Sequence, residues 1–192
     1  MKMPHSLPTS LLPVVIVLAA GRGERFVASG GDTHKLAALL AGKPVLDHVL
    51  AAVQGSGLSF HVVEADASRP GMGDSIAAGV CATADASGWM ILPGDLPLIR
   101  SETLLQVAQA PESAVLVPMY GGQKGHPVRF SSSCRGALSD LRGNQGAAHL
   151  VREMSAINSV AYLALNDVGI VTDIDTLEDL TRAEQLLAAR RR

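Results

Sequence analysis

The chain has 192 residues, 47% of them hydrophobic and 18% charged, with a formal net charge of −2. That length supports one domain with a substantial core, and the composition excludes a disordered chain. The near-neutral charge gives no field for a nucleic-acid backbone, and no stretch reaches the roughly 20 apolar residues of a membrane span, so neither partner is expected. Residues 1–12, broken by Pro4 and Pro8, read as a loose tail, and 13–192 as a single domain. Lys2 and the apolar run 11–20 superficially resemble a signal peptide. Pro13 interrupts that run, however, and residues 14–18 read as a buried first strand. Pro44 opens a helix over about 44–54, stopped by Gly55-Ser56-Gly57. Leu58 to Glu64 reads as a second strand, and Gly71-Met72-Gly73 leads into a short helix from Ser75. Residues 89–92 form a third, buried strand, and Ser101 caps a helix to about 109. Strands follow at 114–118 and 126–130, then helices near 133–142 and 146–154, and a strand at 159–164. Thr176 opens a final helix to about Ala189, with Asp179 as its capping partner. Short apolar strands alternating with helices predict an α/β three-layer sandwich around a mostly parallel mixed sheet, Rossmann-like, with ligands at the carboxyl ends of the strands.

The first strand ends in Leu18-Ala19-Ala20-Gly21-Arg22-Gly23-Glu24-Arg25, and Lys35, one of four lysines, follows. Small residues let backbone N–H groups approach phosphate oxygens, and Arg22, Arg25 and Lys35 neutralise charge. A dinucleotide fingerprint would need glycine where Phe26 stands. A Walker A loop fails because Gly42-Lys43 is followed by Pro44. Asp95 ends the third strand. A carboxylate facing a triphosphate calls for a divalent cation between them, and Mg²⁺ takes one or two carboxylates plus phosphate oxygens. Asp173 and Asp175 share a side in extended geometry. The plainer alternatives are a turn role for Asp95 and a helix N-terminal acid at Asp175.

Other residues carry less. Cys81 and Cys134 lack metal or disulfide spacing, which suits a reducing cytoplasm, and read as small buried hydrophobes. His34, His48, His61 and His149 share no metal spacing and read as surface or satisfied core. Arg142 and Arg152 read as solvated helix faces, with contact to an anionic acceptor as the alternative, and the C-terminal arginines as decoration of a helix end. A serine-esterase reading of Gly73-Asp74-Ser75-Ile76 fails, since no late Asp-x-x-His exists and the nucleophile elbow breaks at Ala77.

With these residues in place the chain resembles the MobA-like nucleotidyltransferases over nearly all of 14–188, and looks closest to the molybdenum cofactor cytidylyltransferase branch. The matching pieces are Leu18-Ala19-Ala20-Gly21 with Arg25 and Lys35, Gly42-Lys43-Pro44-Val45-Leu46, Gly71-Met72-Gly73-Asp74-Ser75, Gly94-Asp95-Leu96-Pro97, Gly125-His126-Pro127-Val128 and Asp173-Ile174-Asp175-Thr176. The resemblance implies the nucleotide-diphospho-sugar transferase type of fold. It also implies Mg²⁺-dependent transfer of a nucleoside monophosphate from an NTP to a phosphate-bearing acceptor, with release of pyrophosphate. In the closest branch that acceptor is the molybdopterin cofactor, and a molybdoenzyme would receive the product. Leu-Ala-Ala-Gly, in place of Leu-Ala-Gly-Gly, leans toward CTP over GTP.

Carried over residue by residue, Arg25, Lys35 and Asp95 would be catalytic. Leu18, Ala19, Ala20, Gly21, Arg22, Gly23, Arg25, Lys35, Gly73 and Ser75 would hold the nucleotide. Ser75, Gly125, His126 and Pro127 would shape the acceptor pocket, and Asp95, Asp173 and Asp175 would bind the metal. Three departures stand out, one of them an N-terminal extension before the first strand. Only one strand fits between the helix ending near Val53 and Gly71, where the family usually carries two strands and a helix. Gly143-Asn144-Gln145-Gly146 replaces Gly-Asp-x-Gly. The alternatives are a non-catalytic nucleotide- or cofactor-binding relative, and a nucleotidyltransferase acting on a sugar phosphate.

Overall fold

The computed structural model describes residues 12–68 and 71–190. The expected tail lies outside these residues except for Leu12, which is buried in the core and so does not belong to a loose segment. The first half of the chain runs β1 (Val14–Ala19), α1 (Glu24–Ala28), β2 (Leu39–Leu40), β3 (Lys43–Pro44), α2 (Val45–Ser56), β4 (Phe60–Glu64), α3 (Met72–Ala82) and β5 (Gly88–Pro93). The second half runs α4 (Ser101–Gln109), β6 (Val115–Tyr120), β7 (Gln123–Lys124), β8 (Val128–Ser131), α5 (Arg135–Ser139), α6 (Ala148–Ala156), β9 (Val160–Ala164) and α7 (Leu177–Arg190).

The main sheet has the order β4-β1-β5-β8-β6-β7, with β9 also on β6. β1 lies parallel between β4 and β5, and β9 lies parallel to β6. β8 is the antiparallel insert between β5 and β6. β1 and β5 read as unbroken apolar runs because both of their faces are covered. Val15, Val17, Met90 and Leu92 pack with Val49 and Val53 of α2 and with Leu104 and Val107 of α4. Ile16, Trp89 and Ile91 face the other way, toward Ile76 and Val80 of α3, Leu138 of α5 and Leu150 of α6. Helices on both faces of a mixed sheet make the expected three-layer sandwich. A third cluster joins Phe26, Leu36, Leu40 and Val45 to Ile174 and to Ala183 of α7.

Several local expectations change. α3 begins at Met72, earlier than Ser75, because Asp74 Oδ2 accepts from the Gly71 N–H at 3.2 Å, the N3 half of a capping box whose glycine N-cap offers no side chain in return. The helix expected over 133–142 is a 3₁₀ turn, Ser132–Cys134, followed by the short α5. α1, the β2–β3 hairpin and β7 carry too few residues for a periodic pattern. Cys134 is buried, but Cys81 is exposed on α3 and is no core residue. β4 ends the sheet on one side, and α3 follows it with no further strand among the described residues. No described helix is long and apolar enough to cross a membrane.

Ser101 does not cap its own helix; its Oγ donates to the Ala52 carbonyl on α2 at 2.8 Å. The start of α4 is held instead by Asp167, whose Oδ2 accepts from Arg100 N–H at 3.1 Å and Thr103 Oγ1 at 2.8 Å. Its Oδ1 accepts from Gly169 N–H at 3.0 Å and Arg190 Nη2 at 2.8 Å. Arg190 is thus an anchor of α7 and more than a decoration; its Nη1 also donates to the Leu98 carbonyl. Asp167 is 2% exposed and ties α4, α7 and the 3₁₀ turn Val168–Val171 together. Removing one partner of a buried ion pair leaves the other uncompensated. Asp167→Ala is therefore expected to cost about 3 kcal/mol, a fall in Tm of roughly 6–12 °C for a chain of this size. A fall below about 2 °C in a thermal melt would refute the anchoring role.

Candidate active site

Parallel pairing brings the ends of β1 and β5 side by side, and Gly94 N–H donates to the Leu18 carbonyl at 2.9 Å. A Cβ at Gly94 would lie 3.0 Å from that oxygen, so glycine permits the approach. The loop after β1 therefore lies next to Asp95. Ile174, fully buried under α7, donates its N–H to the Asp95 carbonyl at 2.9 Å and brings its neighbour Asp175 to the same place. Residues 173–175 are not the strand-like segment expected there but an irregular one, bending at Asp175 and pinned at its centre by Ile174.

Lys35 Nζ donates to Asp95 Oδ2 at 2.6 Å and to Asp175 Oδ1 at 2.8 Å. Arg25 Nη2 lies 2.7 Å from Asp175 Oδ2. The Lys35 side chain is 11% exposed. Burial pulls its ammonium toward neutrality, but the Asp95 charge and the hydrogen bonds to Asp175 and Asp95 outweigh it and hold the pKa above the usual 10.5. Lys35 stays charged, and of its three N–H donors two are committed and one is open. Asp95 Oδ1 is buried and has no hydrogen-bond partner.

Two cavities meet at this cluster. One, of about 440 Å³, is lined by Ala20 to Arg25, Gly71, Ser75 and Asn144. The other, of about 770 Å³, is walled largely by apolar side chains, among them Ile76, Ile91, Val117, Val128 and Phe130, with Lys124, His126 and Arg152 as polar groups. Leu18, Arg25, Lys35, Met72, Pro93, Asp95 and Asp175 line both.

The smaller cavity collects Leu18, Ala20, Gly21, Arg22, Gly23, Arg25, Lys35 and Ser75 of the residues expected to hold a nucleotide. Ala19 turns instead into the cluster under α7. Gly73 is buried away from both cavities; its small size answers to packing, since a Cβ there would lie 2.5 Å from the Gln145 carbonyl. Ser75 lines the smaller cavity but not the larger one, and its Oγ donates to Gly71 within its own helix at 3.1 Å. Gly125 and His126 line the larger cavity, whereas Pro127 is buried outside it. Burial holds the His126 imidazole below its usual 6.5 against the opposing pull of Asp95, so the ring is neutral at pH 7.

The three carboxylates expected to bind metal do not form one centre: among the described residues no group of three His, Cys, Asp or Glu is placed to hold an ion. Both Asp175 oxygens face cations, and Asp173 opens on the larger cavity. What remains is the unpartnered Asp95 oxygen. That fits an ion such as Mg²⁺, which uses one or two protein carboxylates and takes its other ligands from phosphate and water.

Asp74 is the residue that the sequence reading left without a role. Its Oδ2 also accepts from Gly143 N–H at 3.0 Å, while Gly73 N–H donates to the Gly143 carbonyl at 2.8 Å. A Cβ on Gly71 would lie 2.1 Å from the Gly143 carbonyl carbon, so the two glycine-rich turns are pressed together. This seating puts Asn144 on the smaller cavity and Gly146 to Ala148 on the larger. An acid between two glycine-rich turns was the available signal. Arg142 is occupied by the carbonyls of Ser139 and Leu141, while Arg152 reaches the larger cavity. His48 and His149 bond the backbone carbonyls of Leu40 and Gly146, as satisfied histidines do.

Burial pushes the Asp173 carboxyl above its usual 3.8, and the charges of Asp95, Asp175 and Asp179 add to the shift. An acid with a raised folded-state pKa gives its full stability below pH 3.8 and loses it as pH climbs through the folded value. At neutral pH the ionised Asp173 therefore works against folding. Asp173→Asn is expected to raise Tm at pH 7.5 in EDTA, with the gain shrinking toward pH 4. A lowered Tm at pH 7.5 would contradict this.

The family model of the MobA-like NTP transferase domain matches residues 54–159. The purine catabolism protein PucB of Bacillus subtilis is 31% identical over 196 residues, covering 85% of this chain and 92% of PucB. The bifunctional protein GlmU of Xanthomonas oryzae pv. oryzae is 31% identical over 167 residues, 76% of this chain, and the chain spans only 36% of GlmU. The crystal structure of Rv0371c from Mycobacterium tuberculosis superposes with a TM-score of 0.72 at 25% identity, covering 90% of this chain and 98% of that one. The same protein is known in complex with manganese, at a TM-score of 0.69 and 24% identity, covering 91% and 98% of the two chains. With the family model matching more than half its length and PucB 31% identical over most of both chains, this chain belongs to the MobA-like NTP transferase family.

Proposed function

We propose that this chain is a Mg²⁺-dependent nucleotidyltransferase that moves a nucleoside monophosphate, CMP in preference to GMP, from an NTP to the phosphate of a molybdopterin-type acceptor, whose product a molybdoenzyme would take up. The observation that carries this reading is the meeting of two unlike cavities at Lys35, Asp95 and Asp175. The smaller offers a glycine-rich backbone and Arg22 and Arg25 to a triphosphate. Ala20 lines this cavity, and alanine in place of glycine at that position leans toward CTP over GTP, as the family resemblance implies. The larger has broad apolar walls and, besides the shared cluster, Gln123, Lys124, His126, Arg152 and Asp173 as polar groups. The apolar walls suit the faces of a flat heterocycle, and the polar groups its hydrogen-bonding edges and phosphate.

In the reaction an oxygen of the acceptor phosphate attacks the α-phosphorus. The bond from that phosphorus to the bridging oxygen breaks, and pyrophosphate leaves with the electron pair. No protein nucleophile is needed, so the side chains position the reactants and offset charge. Lys35, with one donor open, reaches a phosphate at the junction, and Arg25 meets the leaving pyrophosphate. His126, neutral and half-buried, orients the acceptor by hydrogen bonding. Asp95 would hold Mg²⁺ through its unpartnered oxygen, and the ion when bound neutralises phosphate charge as a Lewis acid. The manganese complex of Rv0371c supports a divalent ion in this fold.

The first test is a thermal-shift panel of CTP, GTP, ATP and UTP with and without Mg²⁺, followed by pyrophosphate release with molybdopterin. A ligand at about 100 times its Kd stabilises by roughly 2.7 kcal/mol, a shift of about 5–10 °C here. CTP with Mg²⁺ is expected to give the largest shift, and binding without pyrophosphate release would favour a non-catalytic relative. Asp95→Asn and Lys35→Ala are each expected to lower kcat/KM on the order of 10²-fold or more. Near-normal turnover in either variant sinks the assignment. Ala20→Gly is expected to move the CTP:GTP ratio of kcat/KM toward GTP by roughly 10-fold, the scale of a one-methyl difference in a pocket.

A further inference from the structure

We propose that His34 is a positioning residue for the triphosphate, acting by fixing the peptide that follows Gly21; the proposal rests on the reading of the smaller cavity as the NTP site. His34 Nδ1 lies 3.3 Å from the Leu36 N–H, which can only donate, so Nδ1 presents its lone pair. His34 Nε2 lies 2.6 Å from the Gly21 carbonyl, which can only accept, so Nε2 carries the proton. One tautomer satisfies both bonds, and the ring is held at both ends.

Holding that carbonyl has a consequence on the far side of the same peptide. C=O and N–H point in opposite directions across a planar trans peptide, so the His34 bond also sets the direction of the Arg22 N–H. Gly21, Arg22 and Gly23 all line the smaller cavity. A Gly21 carbonyl left free to turn inward would set the negative end of a peptide dipole against phosphate oxygens.

The loop also rests on the ring. Gly23 has φ +67°, and a Cβ there would come within 3.3 Å of His34 Cδ2 and Nε2 and 3.4 Å of the Lys35 N. A Cβ on Gly21 would lie 3.8 Å from Lys35 Cε. Residues 34 and 35 thus form the floor of the loop, one clamping its backbone and the next supplying the cation at the junction.

The test compares His34→Ala and His34→Gln in the full chain by isothermal titration with CTP and Mg²⁺. His34 is exposed, so neither change removes core packing. The glutamine amide keeps an N–H that can reach the Gly21 carbonyl. His34→Ala is expected to weaken CTP binding about tenfold, to raise KM for CTP in step, and to leave the ligand-free Tm within about 2 °C, while His34→Gln recovers most of the affinity. CTP binding by the alanine variant within twofold of wild type overturns the proposal alone. So does an equal loss in both variants, or a loss that follows a lowered Tm. If the wild-type protein itself takes no CTP, this proposal and the NTP-site reading fall together.

Discussion

The Lys35 ammonium between Asp95 and Asp175 is the contact on which the rest of the site depends. It joins residues 60 and 140 positions apart in the chain, at the end of β5 and just before α7. Two carboxylates brought this close would repel each other and Asp173 without a cation between them; burial raises the pKa of Asp173, and the charges of Asp95 and Asp175 add to it. The backbone bond from Ile174 to Asp95 and the burial of Ile174 force the acids together whether or not the charges favour it. Lys35 is the charge that makes this forced arrangement stable, which is why it is held so far out of water.

Two further carboxylates repeat the tactic away from the chemistry. Asp74 accepts N–H groups from Gly71 and Gly143, and so joins turns that line both cavities. Asp167 gathers α4, α7 and the turn Val168–Val171. That turn carries Ile170, whose carbonyl accepts the His126 N–H at 2.9 Å. The place of His126 in the larger cavity is therefore set by a carboxylate that never faces the cavity. In each case one acid satisfies backbone donors from separate segments, and at buried Asp167 the charge costs little because both oxygens are bonded.

Much of the frame was legible in the chain because burial on both faces leaves a plain mark. β1 and β5 are continuous apolar runs, and Thr176 with Asp179 forms the reciprocal cap at α7, Thr176 N–H donating to Asp179 Oδ2 at 2.8 Å. The loop, Lys35 and Asp95 were legible from their order along the chain. Asp175 was harder, since a helix-terminal acid and a metal ligand look alike in sequence; it is the counter-ion of Lys35 and Arg25, and Asp179 does the capping. What escaped depends on contacts between distant segments. The early start of α3 needs Gly143 against Gly71, the start of α4 needs Asp167, and the latch at His34 needs a loop folded back over 13 positions. No local pattern encodes such pairings.

The charge arrangement also separates two kinds of cation. Lys35 is enclosed at 11% exposure and bonded to two acids, whereas the Arg25 side chain is 77% exposed and bonded to one. Leaving Asp175 would cost Lys35 a second buried bond, but Arg25 can change partner with solvent already around it. A phosphate oxygen arriving at Arg25 replaces one anionic contact with another, and Asp175 keeps Lys35 when that happens. The exchange leaves no buried charge unpaired. In the proposed reaction Lys35 would be the fixed reference of the junction, and Arg25 the arm free to follow the leaving pyrophosphate outward while the acids stay in place.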